Sequence, residues 1–224
     1  MAPDGNETYE HDEPAAGGRR RRFGLVALVL AAVVGLLLGY GAGWLVPRLT
    51  LPDDNSADAG FARDMILHHS QAVEMGLIGF QRASDPAVRQ IAVDIAATQQ
   101  GEIGMMHAWL REWGLDPTGS EPAMAWMPAD MRDAGSDGLM PGMASAEEMT
   151  RLREAEGKEL DVLFLQLMIR HHLGGVHMID AILAEGGRGE VERAAQTMKG
   201  VQGTELTNLN NLLTRLGGTP LPAD

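Results

Sequence analysis

The sequence predicts an all-α protein: a four-helix bundle built from two repeated helical hairpins and preceded by one transmembrane helix. Three observations carry this. The phrase MILHHSQAVEM at 65–75 returns as MIRHHLGGVHM at 168–178, both following M-I-x-H-H-x-x-x-V-x-M. The offset of 103 residues holds without a gap over 61–114 and 164–217, pairing Phe61 with Phe164, Val88 with Val191, Gln99 with Gln202, Glu102 with Glu205 and Leu110 with Leu213. Self-similarity on this scale means two copies of one structural unit. Third, residues 23–46 form an uncharged apolar run, long enough for the ~20 residues that a helix needs to cross a bilayer core.

Taken in order, residues 1–22 read as a disordered cytoplasmic tail, polar and without periodicity, that ends in the basic block Arg19 to Arg22. Positive charge before the apolar run at 23–46 orients its N-terminal end to the cytoplasm, making a single-pass cell-membrane protein whose C-terminal domain is extracytoplasmic. A cleaved signal peptide is the competing reading, with Gly39 to Gly43 supplying small residues near a cut site. Residues 47–57 form a linker.

The bundle then occupies 58–217. Its first helix runs over 58–83 with Asp58 as cap, and Asp85-Pro86 restarts the chain as N-cap and first helical residue of a helix over 86–113. Ser145 and Glu148 make a capping box for a third helix that continues, with a kink at Gly157, to Glu185. The fourth covers 189–216, and 218–224 is a tail. Short turns make antiparallel neighbours. The link at 115–144 carries Met124, Met127, Met131, Met140 and Met143, which read as adaptable packing over the bundle.

Composition limits the chemistry. The chain has 14 methionines, seven histidines and no cysteine, so disulfides, thiolate metal sites and thiol nucleophiles are excluded. No G-x-S-x-G elbow or Gly-rich phosphate loop occurs either, and no enzymatic activity is expected. The segment from residue 51 onward holds the whole net charge of −13, which disfavours nucleic acid and favours cations.

At ~100° per residue, Met65, His68, His69, Ala72 and Met75 fall on an arc of roughly 120°, the width of a core-facing stripe. Met168, His171, His172, Gly175 and Met178 do the same. Glu102 brings a carboxylate flanked by Met105 and Met106, and Glu205 repeats the carboxylate; His177 falls on the outer face and is at most an accessory residue. Imidazole and thioether without thiolate suit copper, Cu(I) above all, with Ag(I) as its mimic. Zinc gains little from methionine. A di-iron site needs Glu-x-x-His, but Glu102 is followed three residues on by Met105 and Glu205 by Asn208. Binding through these imidazoles should fade on acidification near their ordinary pKa of ~6.5. The metal-free alternative is a helical interaction module whose His/Met stripe is core.

The doubled HH phrase, with the lead-in GMASAEEMTRLREAEGKELDVLFLQLM, resembles the family called domain of unknown function 305 (DUF305). That resemblance implies a ferritin-like four-helix bundle over about 58–217, and copper or silver binding as in some members. It makes Met65, His68, His69, Met75, Met168, His171, His172 and Met178 the positions of interest. Arg170 stands where the family often has proline. No protein partner is indicated.

Overall fold

The computed structural model describes residues 17–49, 51–132 and 138–222. It is all-helical there: α1 (Gly17–Leu49), α2 (Ala57–Arg82), α3 (Pro86–Trp113), α4 (Ala146–Glu154), α5 (Gly157–Glu185) and α6 (Gly189–Arg215). The chain divides into two compact units, Met1–Leu51 and Pro52–Asp224.

The first unit contains α1, whose Gly24–Gly41 window has a mean hydropathy of 2.3 and no buried residue. Leu25, Leu28, Leu36 and Leu38 are all exposed. A helix that is apolar and exposed throughout such a window suits a membrane span or a signal sequence. It begins ahead of the arginine block and runs past Pro47, so it is longer at both ends than the expected 23–46. The expected disordered tail lies outside the described residues as far as residue 16, and Gly17 to Arg22 are helical.

In the second unit α2 packs on α3, α5 packs on α6, and the hairpins meet chiefly through α2 against α5. Local chemistry sets most of the ends. Asp85 caps α3, its Oδ1 accepting from the N–H groups of Ala87 and Val88, with Pro86 at the first helical position. Gly114 closes α3 at φ 73. Ser145 and Glu148 form the expected capping box on α4.

Two expectations need correction. Gly157 is not a kink: α4 ends at Glu154, Ala155 and Glu156 are extended, and Gly157 at φ 54 opens α5. A positive φ breaks a helix rather than bending it. Asp58 does not cap α2 either. Ser56 does so, its Oγ accepting from Ala59 N–H, while Asp58 accepts from the backbone N–H of Arg188, at the turn before α6. Its repeat counterpart Asp161 accepts from the N–H groups of Ser84 and Asp85 and from the Ser84 hydroxyl, at the turn before α3. Each hairpin thus clamps the turn of the other.

The core has two apolar clusters that the 103-residue offset exchanges. One contains Val88, Ala92, Phe164, Met168, Met75, Leu209 and Leu213; the other contains Val191, Ala195, Phe61, Met65, Met178, Met106 and Leu110. Between the two clusters each of the four long bundle helices carries a polar pair that is buried or half-buried: His68 and His69, Gln99 and Glu102, His171 and His172, Gln202 and Glu205. A polar belt therefore crosses the middle of the bundle.

The described parts of the link, 115–132 and 138–144, are packed. Met124, Met127 and Met140 are buried in the second cluster, as adaptable packing requires. Its end is strapped across α2 and α5. Gln71 makes two hydrogen bonds with the Ala144 backbone (2.7 and 2.8 Å), and Arg170 pairs with Glu148. At Gly174 an added Cβ would lie 1.9 Å from Pro141 O, so only glycine lets the strap approach this closely.

Candidate metal centre

All four histidines of the doubled phrase are buried at equal depth, His68 and His171 at 1% exposure, His69 and His172 at 0%. The rings of His68 and His171 stack across the hairpin interface, centroids 3.8 Å apart and planes tilted by 35°. Within each pair the centroids are 6.3 and 6.5 Å apart. The inward face predicted from helical periodicity is correct. Its opposite, Glu74, is exposed and pairs with Arg153.

The hydrogen bonds decide the tautomers. His69 Nε2–H donates to Glu102 Oε2 and His172 Nε2–H to Glu205 Oε2, each at 2.8 Å. His171 Nε2–H donates to the His68 carbonyl at 3.0 Å, and His68 Nε2–H to the Pro141 carbonyl at 3.1 Å. The two-fold relation breaks here, because the strap carrying Pro141 has no counterpart in the first hairpin. Every partner atom is an acceptor, so every ring carries a proton on Nε2, and in the neutral ring Nδ1 is then a bare lone pair. Among the described residues all four Nδ1 atoms are buried without a hydrogen-bond partner.

Burial pushes His68 down to about 3, with repulsion from His69 and His172 added and the Pro141 carbonyl opposing. Burial likewise holds His171 well below its ordinary value, followed by repulsion from His68, His172 and His69. A buried imidazolium loses its hydration, so the neutral ring persists in acid. The expectation that ligand capacity fades near pH 6.5 is therefore corrected for these two residues.

The remaining predicted residues divide. Glu102 and Glu205 join the belt. Met65 and Met178 lie in one flanking cluster with Met106, while Met75 and Met168 lie in the other. Met105 is half-buried at the edge of the cluster that holds Met106. His177 is half-buried and turns to the link, its Nε2–H donating to Met131 O at 2.8 Å. Sequence reasoning missed Gln99 and Gln202, both buried, each with Oε1 unpartnered among the described residues. Their signal was present: they align at the repeat offset, and each begins a Q-x-x-E with the belt glutamate.

These donors fit a metal ion in kind: buried imidazole nitrogens, on rings oriented by carboxylates at His69 and His172 and by backbone carbonyls at His68 and His171. Among the described residues no three His, Asp or Glu side chains already form a metal-binding group. The belt is a donor set rather than a finished cage.

The family described as domain of unknown function (DUF305) matches residues 58–213. The chain belongs to the DUF305 family. Among solved structures, a DUF305 protein from Streptomyces coelicolor is 42% identical, covering 76% of this chain and 99% of that one, with a TM-score of 0.68. A DUF305 fragment from Deinococcus radiodurans is 32% identical over 71% of this chain and 96% of its own, TM-score 0.59. CopM, solved in Cu(II)-bound and Cu(I)-bound forms, shares the fold at 22% and 24% identity, with TM-scores of 0.55 and 0.54, covering 71% and 72% of this chain and 97% and 98% of those chains. An uncharacterised protein of Acanthamoeba polyphaga mimivirus is 40% identical over 55 residues; the match spans 25% of this chain and 36% of that curated relative. The family expected from the HH phrase is thus shown, and the helical fold with it.

Proposed function

We propose that this DUF305 protein is a membrane-anchored, extracytoplasmic copper-binding protein that buffers the metal or hands it on, with Cu(I) as its main cargo. One observation carries the reading: four buried imidazoles, each held through Nε2, present four Nδ1 atoms without a hydrogen-bond partner among the described residues. A buried acceptor without a donor costs about 1–3 kcal/mol, and two copies of the unit both keep two. An ion that takes these lone pairs removes the cost.

Under this reading His68, His69, His171 and His172 supply nitrogen. Glu102 and Glu205 fix the tautomers of His69 and His172 and add basicity to their rings. Met65, Met75, Met168 and Met178 flank the belt with soft sulfur, which favours Cu(I) over zinc. The copper-bound forms of CopM support the choice of metal. The chain acts by binding rather than catalysis, and it is held at the membrane by α1.

The test is an anaerobic Cu(I) titration of residues 52–224 against a competing chelator, with metal analysis. Replacing His68 and His69 by Ala, or His171 and His172 by Ala, is expected to weaken binding about tenfold or more, which is about 1.4 kcal/mol. A parent protein that takes up no copper would overturn the proposal. So would His variants that lose only thermal stability, which would mark the belt as the core of a metal-free module.

A further inference from the structure

Gln99 on α3 and Gln202 on α6 are the two belt residues that the copper reading leaves unexplained. Their side chains are 2% and 3% exposed, and their Oε1 atoms are unpartnered among the described residues. Each lies three residues before the glutamate that orients a histidine, so both point from the same helix face as that glutamate. A Cβ added at Gly175 would meet Gln202 Oε1 at 2.7 Å and His68 Cε1 at 3.3 Å, so the Gln202 oxygen and the His68 ring both border the space beside Gly175. The lack of a Cβ at Gly175 lets the Gln202 oxygen come this close; its counterpart Ala72 carries a methyl group.

With the four Nδ1 atoms, the belt holds six buried acceptors without partners among the described residues. Amide oxygen differs in kind from the other donors. It is hard, whereas imidazole is borderline and thioether is soft. An oxygen donor gives Cu(I) little and gives a divalent first-row ion much.

We infer that Gln99 and Gln202 are metal-facing residues whose amide oxygens let the belt accept divalent first-row ions such as Cu(II) or Zn(II), and so set its selectivity against Cu(I). This rests on the copper reading of the same belt and adds the residues that decide which oxidation state is held. A half-turn of either amide would present its NH2 to the imidazole lone pairs instead. That arrangement is a purely supporting role, and the experiment must separate the two.

The full chain in detergent is titrated with Zn(II) and Cu(II) in air and with Cu(I) under anaerobic conditions, in three forms: the parent, the Gln99→Leu/Gln202→Leu pair, and the Gln99→Glu/Gln202→Glu pair. The leucine pair is expected to lose divalent affinity by about 10-fold to 100-fold, the scale of losing a supporting group at a metal site, and to keep Cu(I) affinity. The glutamate pair keeps an oxygen and loses the NH2, so it should bind divalent ions at least as tightly as the parent. Cu(II) spectra should shift in the leucine pair. Equal losses for all three ions in the leucine pair, or loss of divalent binding in the glutamate pair, would overturn the inference and assign the amides to support. Should the leucine pair fail to fold, the glutamate pair decides alone. A parent that binds none of the ions defeats the copper reading itself, an outcome distinct from altered selectivity in a parent that binds.

Discussion

Acidifying the metal-free protein from pH 7 to pH 5 tests the buried belt most directly. In the unfolded chain His68 and His171 take up protons near pH 6.5. In the folded chain His68 stays neutral down to about 3, and His171 is also held well below its ordinary value. Below pH 6.5 the unfolded state therefore binds more protons, and stability falls as the pH falls. It is fully present above pH 6.5, and His68 continues to erode it down to about 3. Each such group costs ~1.4 kcal/mol per pH unit below 6.5, so at pH 5 one histidine costs about 2 kcal/mol and the two about 4. A domain of this kind has ~5–15 kcal/mol in total, so the loss is a large share. Asp58 and Asp64, raised by burial, act in the opposite sense as the carboxylates titrate. The assay is urea unfolding at pH 7, 6 and 5 for the parent and for a His68→Gln/His171→Gln variant. The parent should lose about 4 kcal/mol over this range and the variant far less. Equal pH slopes would refute the argument, because the two imidazoles would then be titrating in the folded state as they do in the unfolded chain.

The reciprocal turn clamps should differ in strength. Asp161→Ala strands two backbone N–H groups and the Ser84 hydroxyl and should cost about 2–4 kcal/mol; Asp58→Ala strands one N–H and should cost about 1–2 kcal/mol, both read from urea midpoints. Gly175→Ala pushes the movable end of Gln202 and crowds the edge of the His68 ring by a few tenths of an ångström, and helix propensity should keep stability within about 1 kcal/mol of the parent while metal affinity falls. Isothermal titration beside a thermal melt checks both halves, and a fall in stability without a fall in affinity would contradict the placement of Gln202. Met65→Leu with Met168→Leu should change stability by less than ~1.5 kcal/mol and weaken Cu(I) but not Zn(II) in chelator competition. A reporter fused after Asp224 should be active only outside the cytoplasm, and the chain should stay with membranes after an alkaline wash; a shortened soluble form would indicate a cleaved signal instead.

What the sequence determined by itself was whatever depends on periodicity and short range. The doubled phrase, read at 3.6 residues per turn, placed four histidines and four methionines on inward faces, since a helix carries its own angular ruler. Asp85-Pro86, Gly114 and the Ser145/Glu148 box ended helices through contacts within a few residues. Tertiary structure decided everything that depends on which helix lies opposite. Asp58 looked like a cap, but its carboxylate meets the turn before α6 on the other hairpin, and Ser56 caps α2 instead. The Nε2 partners of the four histidines lie 33 to 103 residues away, so the sequence could not show which ring nitrogen is left bare. The depressed pKa of His68 and His171 comes first from burial, a property of the assembled bundle. Gln99 and Gln202 were visible as an aligned pair, yet glutamine on a helix is ordinarily solvated. Only the packing of α3 and α6 onto the belt turned two common residues into buried oxygens without partners among the described residues.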